Sequence, residues 1–374
     1  MNPRAVPPPP LKFVTPLFLA VVALSTWRSL NAEDTYHQFP LPLVTLVQPP
    51  RLPPISPRPL SEDQQYEIEG LIADLSELDA RDGLINFVDR TVFVPVGGYE
   101  TFLRNSQVFW PIRRLIEIGP DALPFLLRAI DDSTATKIVI QSVPRHGAIF
   151  GGIEFNDILD GNPANLQERL LLNLYRERRI FSDDTKEFVA HAVEQYRVKV
   201  GDICFEIIGQ IVGRRYYCLN GFSNDGVFIS SSVHSERIGR IVRQLWTSDD
   251  PRQKVFDSLL IDFSTRPLQD WDEKSLDSFD AGNQAQCEAA MRLLFYYLDE
   301  AENVVARRAA DLRVSDGYVK DTVVNGVRAD DFIRAIGWSK SLKVRDALSD
   351  VGHRATCELV VDALRGFGVP VSQQ

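Results

Sequence analysis

The chain has 374 residues, 44% of them hydrophobic and 25% charged, with a formal net charge of −10. These are globular proportions and exclude disorder along the whole length, while the length holds one large domain or two ordinary ones with a sizeable core. An acidic chain gains little from counterion release on a polyanion, which sets nucleic acid and anionic membrane aside as main partners.

Residues 1–32 read as an export signal peptide, with Arg4 and Lys12 as a basic start, Phe13–Leu24 as the apolar core and Ser29–Ala32 as a cleavage site. The apolar run is shorter than the ~20 residues of a spanning helix, and Pro16 interrupts it. A periplasmic or extracellular location is expected. An uncleaved anchor is the alternative, and membrane contact is expected only in that case. Cleavage would remove three cations, Arg4, Lys12 and Arg28, and no acid, taking the net charge from −10 to −13. Residues 33–60 read as a Pro-rich linker, because proline removes amide donors and biases the backbone to extended conformations.

The folded body is expected over residues 61–374. Ser61 and Gln64 stand at capping-box spacing ahead of Ile68, Leu71, Ile72, Leu75 and Leu78, which form one apolar stripe on a helix. A second helix is expected over Tyr99–Ile118, kinked or split by Pro111. Gly119 ends that helix in a left-handed turn, and Pro120 opens the next, where a missing amide costs nothing. Ala122, Leu123, Leu126, Leu127 and Ile130 then recur at helical spacing, so an antiparallel helix pair is expected at about 100–132.

The stretch LIEIGPDALPFLLRAIDD, Leu115 to Asp132, resembles the HEAT-type helical repeat. The resemblance implies stacked helix pairs that use their faces to bind partners. A degenerate second copy is read at Val344–Phe367, with Gly352 in place of the turn glycine. The chain also looks similar to exported bacterial proteins with helical-repeat segments.

The middle of the chain is mixed. Thr136–Ser142 and part of Gly147–Phe155 are strand-like. Asn162-Pro163 opens a helix, and Ser182 caps another with Phe188, Val189, Ala192, Val193 and Tyr196 inward. Gly201–Arg214 carries signals of both strand and helix and is read as a helix closed by Gly213. Tyr216–Ser232 reads as irregular or hairpin structure around Asn224-Asp225-Gly226. Helices return from His234, from Asp250-Pro251, over Ala285–Leu312 as one or two, over Asp330–Trp338 and over Ser341–Arg365, with a loop at Trp271–Asn283. The expected fold class is mainly α, HEAT-like antiparallel helix pairs with a small β or irregular insert.

Chemistry is thinly marked. The sequence has no phosphate-binding glycine loop, no HExxH and no GxSxG. The best candidate loop is Arg145–Pro163, which offers His146, Glu154, Asn156, Asp157, Asp160 and Asn162 among glycines. Its oxygens suit Ca²⁺ or acid–base work, although the same residues are ordinary turn and cap formers. Ser230-Ser231-Ser232 beside His234 lacks a nucleophile elbow. Arg214-Arg215-Tyr216-Tyr217 fits a phosphate or sugar contact, or simply the basic end of a helix. Cys204 reads as a small buried hydrophobe, with a Cys204–Cys218 bridge left open. The expectation is therefore a non-enzymatic exported scaffold or protein-binding module without a cofactor. Its alternative is an enzyme or metal-dependent binder using loop 145–163.

Overall fold

The structure is a computed structural model that describes residues 44–45, 49–79, 93, 110–141, 148–150, 195–214, 216, 218–222, 226–229, 231–264, 266–267, 276–312, 323–324 and 327–354. The expected signal peptide, the candidate loop apart from 148–150, and the helices expected after Asn162 and Ser182 lie outside the described residues. What is described is mainly α-helical, with small pieces of sheet.

The first helix, α1, spans Glu62–Asp74, and its start has the capping box expected from the sequence. Ser61 Oγ accepts from Gln64 N at 3.2 Å, and Gln64 Oε1 accepts from Ser61 N at 3.0 Å. Ile68, Leu71 and Leu75 point inward, each worth about 2 kcal/mol in buried apolar surface. Gly70 lies mid-helix with open space where a Cβ would stand. Gly70→Ala should therefore raise stability by about 0.5–1 kcal/mol, read as a higher urea midpoint at unchanged slope. Ahead of α1, the proline-rich segment touches the body, with Ile55 buried and its N–H donating to Gln253 Oε1 at 2.7 Å.

Helix α2, Trp110–Ile118, begins one residue before Pro111, so the proline sits in the first turn, where it is tolerated. A 3₁₀ turn over Gly119–Ala122 leads into α3, Leu123–Ala129. Gly119 has φ +72°, the left-handed turn its sequence position required.

Two short sheets follow. Strand β2, Ala135–Gln141, pairs antiparallel with β4, Gln195–Lys199. Strand β3, Ala148–Phe150, runs parallel to β6, Gly226–Ile229, which forms an antiparallel hairpin with β5, Leu219–Phe222. Tyr196 thus belongs to a strand and not to a helix. The QYRVK segment alternates exposed and buried residues with Tyr196 and Val198 inward, and that period of two wins. (Val44–Thr45, called β1, adds a two-residue pair with Arg266–Pro267.)

Helix α4, Val200–Val212, is buried on nearly every side and packs against α2 and α3. A helix apolar all round belongs at the centre of a domain, which explains its mixed sequence signals. Gly213 closes it at φ +70°. Helix α5, Glu236–Trp246, lies against α3, and α6, Pro251–Ser264, starts where Asp250 accepts from Gln253 N at 2.9 Å.

The expected loop at Trp271–Asn283 is corrected. From Leu276 onward it is the start of α7, Leu276–Tyr296. The Gly282-Asn283 pair costs only about 1 kcal/mol in a helix, which a 21-residue helix absorbs. A break at Tyr297 separates α7 from α8, Leu298–Ala310, so the Ala285–Leu312 region is two helices. Helices α9, Ala329–Ile336, and α10, Leu342–Arg354, pack on α7 and α8 respectively. Gly352 lies inside α10 and makes no turn there.

Candidate functional site

Helix α3 stands between α1 and α5 with an open groove on each side, and Arg128 lines both. The α1 side holds about 400 Å³ over Ile72, Phe125 and Ala129, rimmed by Glu69, Asp131 and Asp132. The α5 side holds about 220 Å³ between Pro124, Leu127 and Trp246, with Arg243 beside it. Helical spacing creates this arrangement: Leu123, Leu126 and Leu127 bury inward, while Arg128 comes out between the neighbours. Its guanidinium lies 4.5 Å from the Phe125 ring centre and 3.4 Å from Glu69 Oε1. That ion pair is exposed on both sides and is worth about 0–1 kcal/mol, so either partner can be exchanged for another protein's charge. Arg243 reaches Leu127 O at 3.2 Å and Asp131 Oδ1 at 2.7 Å.

Beneath α3, at the N-terminus of α4, a polar network surrounds Asp202, which is fully buried. Its Oδ2 accepts from Lys199 N at 2.8 Å and from the Tyr196 hydroxyl, and its Oδ1 accepts from Ser231 Oγ. Because the Tyr196 proton goes to Asp202, the Tyr196 oxygen is left to accept from His234 Nε2, 2.7 Å away. Ser232 Oγ donates to Ile130 O. The turn before α5 is thus fastened to β4, α4 and the end of α3 at once. Burial and the Asp202 charge push the Tyr196 phenol well above its usual range.

Desolvation lowers His234 below its ordinary 6.5, opposed by the Asp202 charge and assisted by Lys199. The unfolded imidazole therefore takes its proton first, so this contribution to stability is full above about pH 6.5 and is lost as pH falls through the lower folded value. His234→Gln should flatten the drop in urea midpoint between about pH 7.5 and about pH 5.5. An equal drop in the variant would place that titration elsewhere.

The residues singled out in sequence fare differently. His146, Glu154, Asp157 and Asp160 lie outside the described residues. Ser231 and His234 do meet in one network, but Ser231 donates to Asp202 and His234 faces Tyr196. Arg214 is committed to the interior, bonding Asp262 Oδ2 at 2.6 Å and Ser258 Oγ at 2.7 Å. Tyr216 stacks on Phe205 at 4.9 Å and accepts from Trp246 Nε1 at 3.0 Å. This part of the Arg-Arg-Tyr-Tyr stretch belongs to the core. The Cys204–Cys218 bridge left open by the sequence is not formed: both thiols are buried, and Cys218 Sγ donates to Glu206 Oε1 at 2.9 Å. Sequence reasoning missed the Asp202 network, although Asp202 and Glu206 are two acids in an otherwise apolar helix and that was a signal.

Among the described residues no three His, Cys, Asp or Glu side chains converge as metal ligands, and no helix is long and apolar enough to cross a membrane. The chain matches no protein-family model, no curated protein and no solved structure.

Proposed function

We propose that this chain is an exported, non-enzymatic scaffold that binds another protein across the outer face of α3. The observation that carries the reading is the pair of open grooves flanking Arg128, floored by Ile72, Phe125 and Ala129 on one side and by Leu127 and Trp246 on the other. Shallow apolar channels of this kind suit a polypeptide better than a small substrate, which needs an enclosed cleft. Arginine and aromatic side chains set among small apolar ones are the usual anchors of protein interfaces. The resemblance of Leu115–Asp132 to HEAT repeats supports the same use of helix faces, and the N-terminal signal supports export.

The test is affinity capture of the full chain from its native envelope, comparing wild type with Arg128→Ala. A partner held by wild type and lost at least about tenfold in the variant, the effect of removing one interface anchor, is the expected result. Equal recovery with both chains would move the binding surface away from α3. N-terminal sequencing of the recovered protein checks export, with a start near residue 33 expected.

A further inference from the structure

We propose that the element docking between α1 and α3 is a cationic amphipathic segment of the partner protein. This deepens the protein-binding reading above and rests on it.

The charge of the chain is concentrated here. Residues 62–79 and 110–132 contain eleven Asp and Glu against three Arg, a balance of −8 within the chain's −10. Residues 62–79 contribute seven of those acids and no base. The two cations at the groove pair with two of its rim acids, Arg128 with Glu69 at 3.4 Å and Arg243 with Asp131 at 2.7 Å, and Asp132 is the rim acid outside those pairs. Glu62, Asp63 and Asp74 form no salt bridge among the described residues, so an excess of negative charge faces solvent. A surface with an excess of one sign of charge beside low-dielectric walls steers oppositely charged partners toward it.

The groove is not merely acidic. Its floor is Ile72, Phe125 and Ala129, and Tyr66, 72% exposed, stands one turn before Glu69 and Gly70 on α1. Gly70 leaves open space along that ridge, which lets another backbone come close. Lysine and arginine meet both demands, since their methylene stems cover apolar surface while their heads reach the acids. A second copy of this chain would bring the same excess of acids to the groove and be repelled.

The test uses the full-length protein and fluorescence anisotropy with two probes, a helical leucine–lysine peptide and the same peptide with glutamate for lysine. The lysine peptide is expected to bind and to weaken about tenfold between ~50 and ~300 mM salt, as screening requires. The triple variant Glu69→Gln, Asp131→Asn, Asp132→Asn should weaken it at least about fivefold, because these acids rim the groove. Asp257→Asn, Asp299→Asn, Asp346→Asn, equal in charge removed but on other helices, should leave it within about twofold. Equal binding of the glutamate peptide overturns the proposal, as does equal weakening by the two triple variants or displacement of the peptide by Ca²⁺ alone. If Arg128→Ala loses the captured partner while the acid variant keeps it, protein binding stands and the cationic segment is wrong.

Discussion

Asp202→Ala is expected to lower the unfolding free energy by about 4 kcal/mol. The carboxylate is buried at the start of α4 and accepts from the Lys199 amide, the Tyr196 hydroxyl and the Ser231 hydroxyl. Removing it strands three donors in an interior with few alternatives, and each stranded donor costs about 1–3 kcal/mol. The Ser231–His234 turn also loses its fastening, and with it the placement of α5 beside the groove. Urea denaturation measures the loss. Asp202→Asn discriminates further, because an amide presents one acceptor and one donor where the site supplies donors on both oxygens. It should recover about half of the loss, when the Ser231 hydroxyl turns to accept from the new NH₂. A cost below about 1 kcal/mol for Asp202→Ala would mean that the network is not a structural fastening.

Gly119→Ala should cost about 3 kcal/mol, from two separable sources. A left-handed φ of +72° disfavours any side chain, by about 1 kcal/mol. The remainder is steric: a Cβ would lie 2.3 Å from Tyr296 Cε1 and 2.7 Å from Cδ1. Tyr296 cannot retreat cheaply. Its hydroxyl donates to Ile116 O at 2.5 Å, and its ring stands edge-on to Phe93 and Phe295. In a Tyr296→Leu background the glycine substitution should cost only about 1 kcal/mol, and the double-mutant cycle isolates the clash. An undiminished cost there would assign the whole effect to the backbone.

Local chemistry was legible in the sequence wherever a few adjacent residues decide the outcome. Ser61 and Gln64 announced their capping box, Gly119 and Gly213 their left-handed turns, and Gly226 the hairpin between β5 and β6. The mainly α class with small β pieces followed from the same kind of reading. Placement of the Asp202 network was not legible, because it joins Tyr196 on a strand, Asp202 on a helix and Ser231 and His234 on a turn thirty residues later. Nothing local pairs them; the packing of α4 beneath α3 does. Tyr196 was misread for a related reason, since five residues of alternation are too few to outweigh a helical pattern running up to them. The grooves beside Arg128 are equally a product of assembly, as no window of sequence contains both Ile72 and Ala129, or both Leu127 and Trp246.

The central claim is that the outer face of α3 binds a protein, and site-specific photocrosslinking tests it most directly. A photoreactive residue is placed at position 128 of the full chain in its native cells, with position 346 on α10 as the control on another helix. The account predicts one recurrent protein crosslinked from 128 and absent from 346. Crosslinks from 128 that are no more specific than those from 346, or that return only this chain, would contradict it.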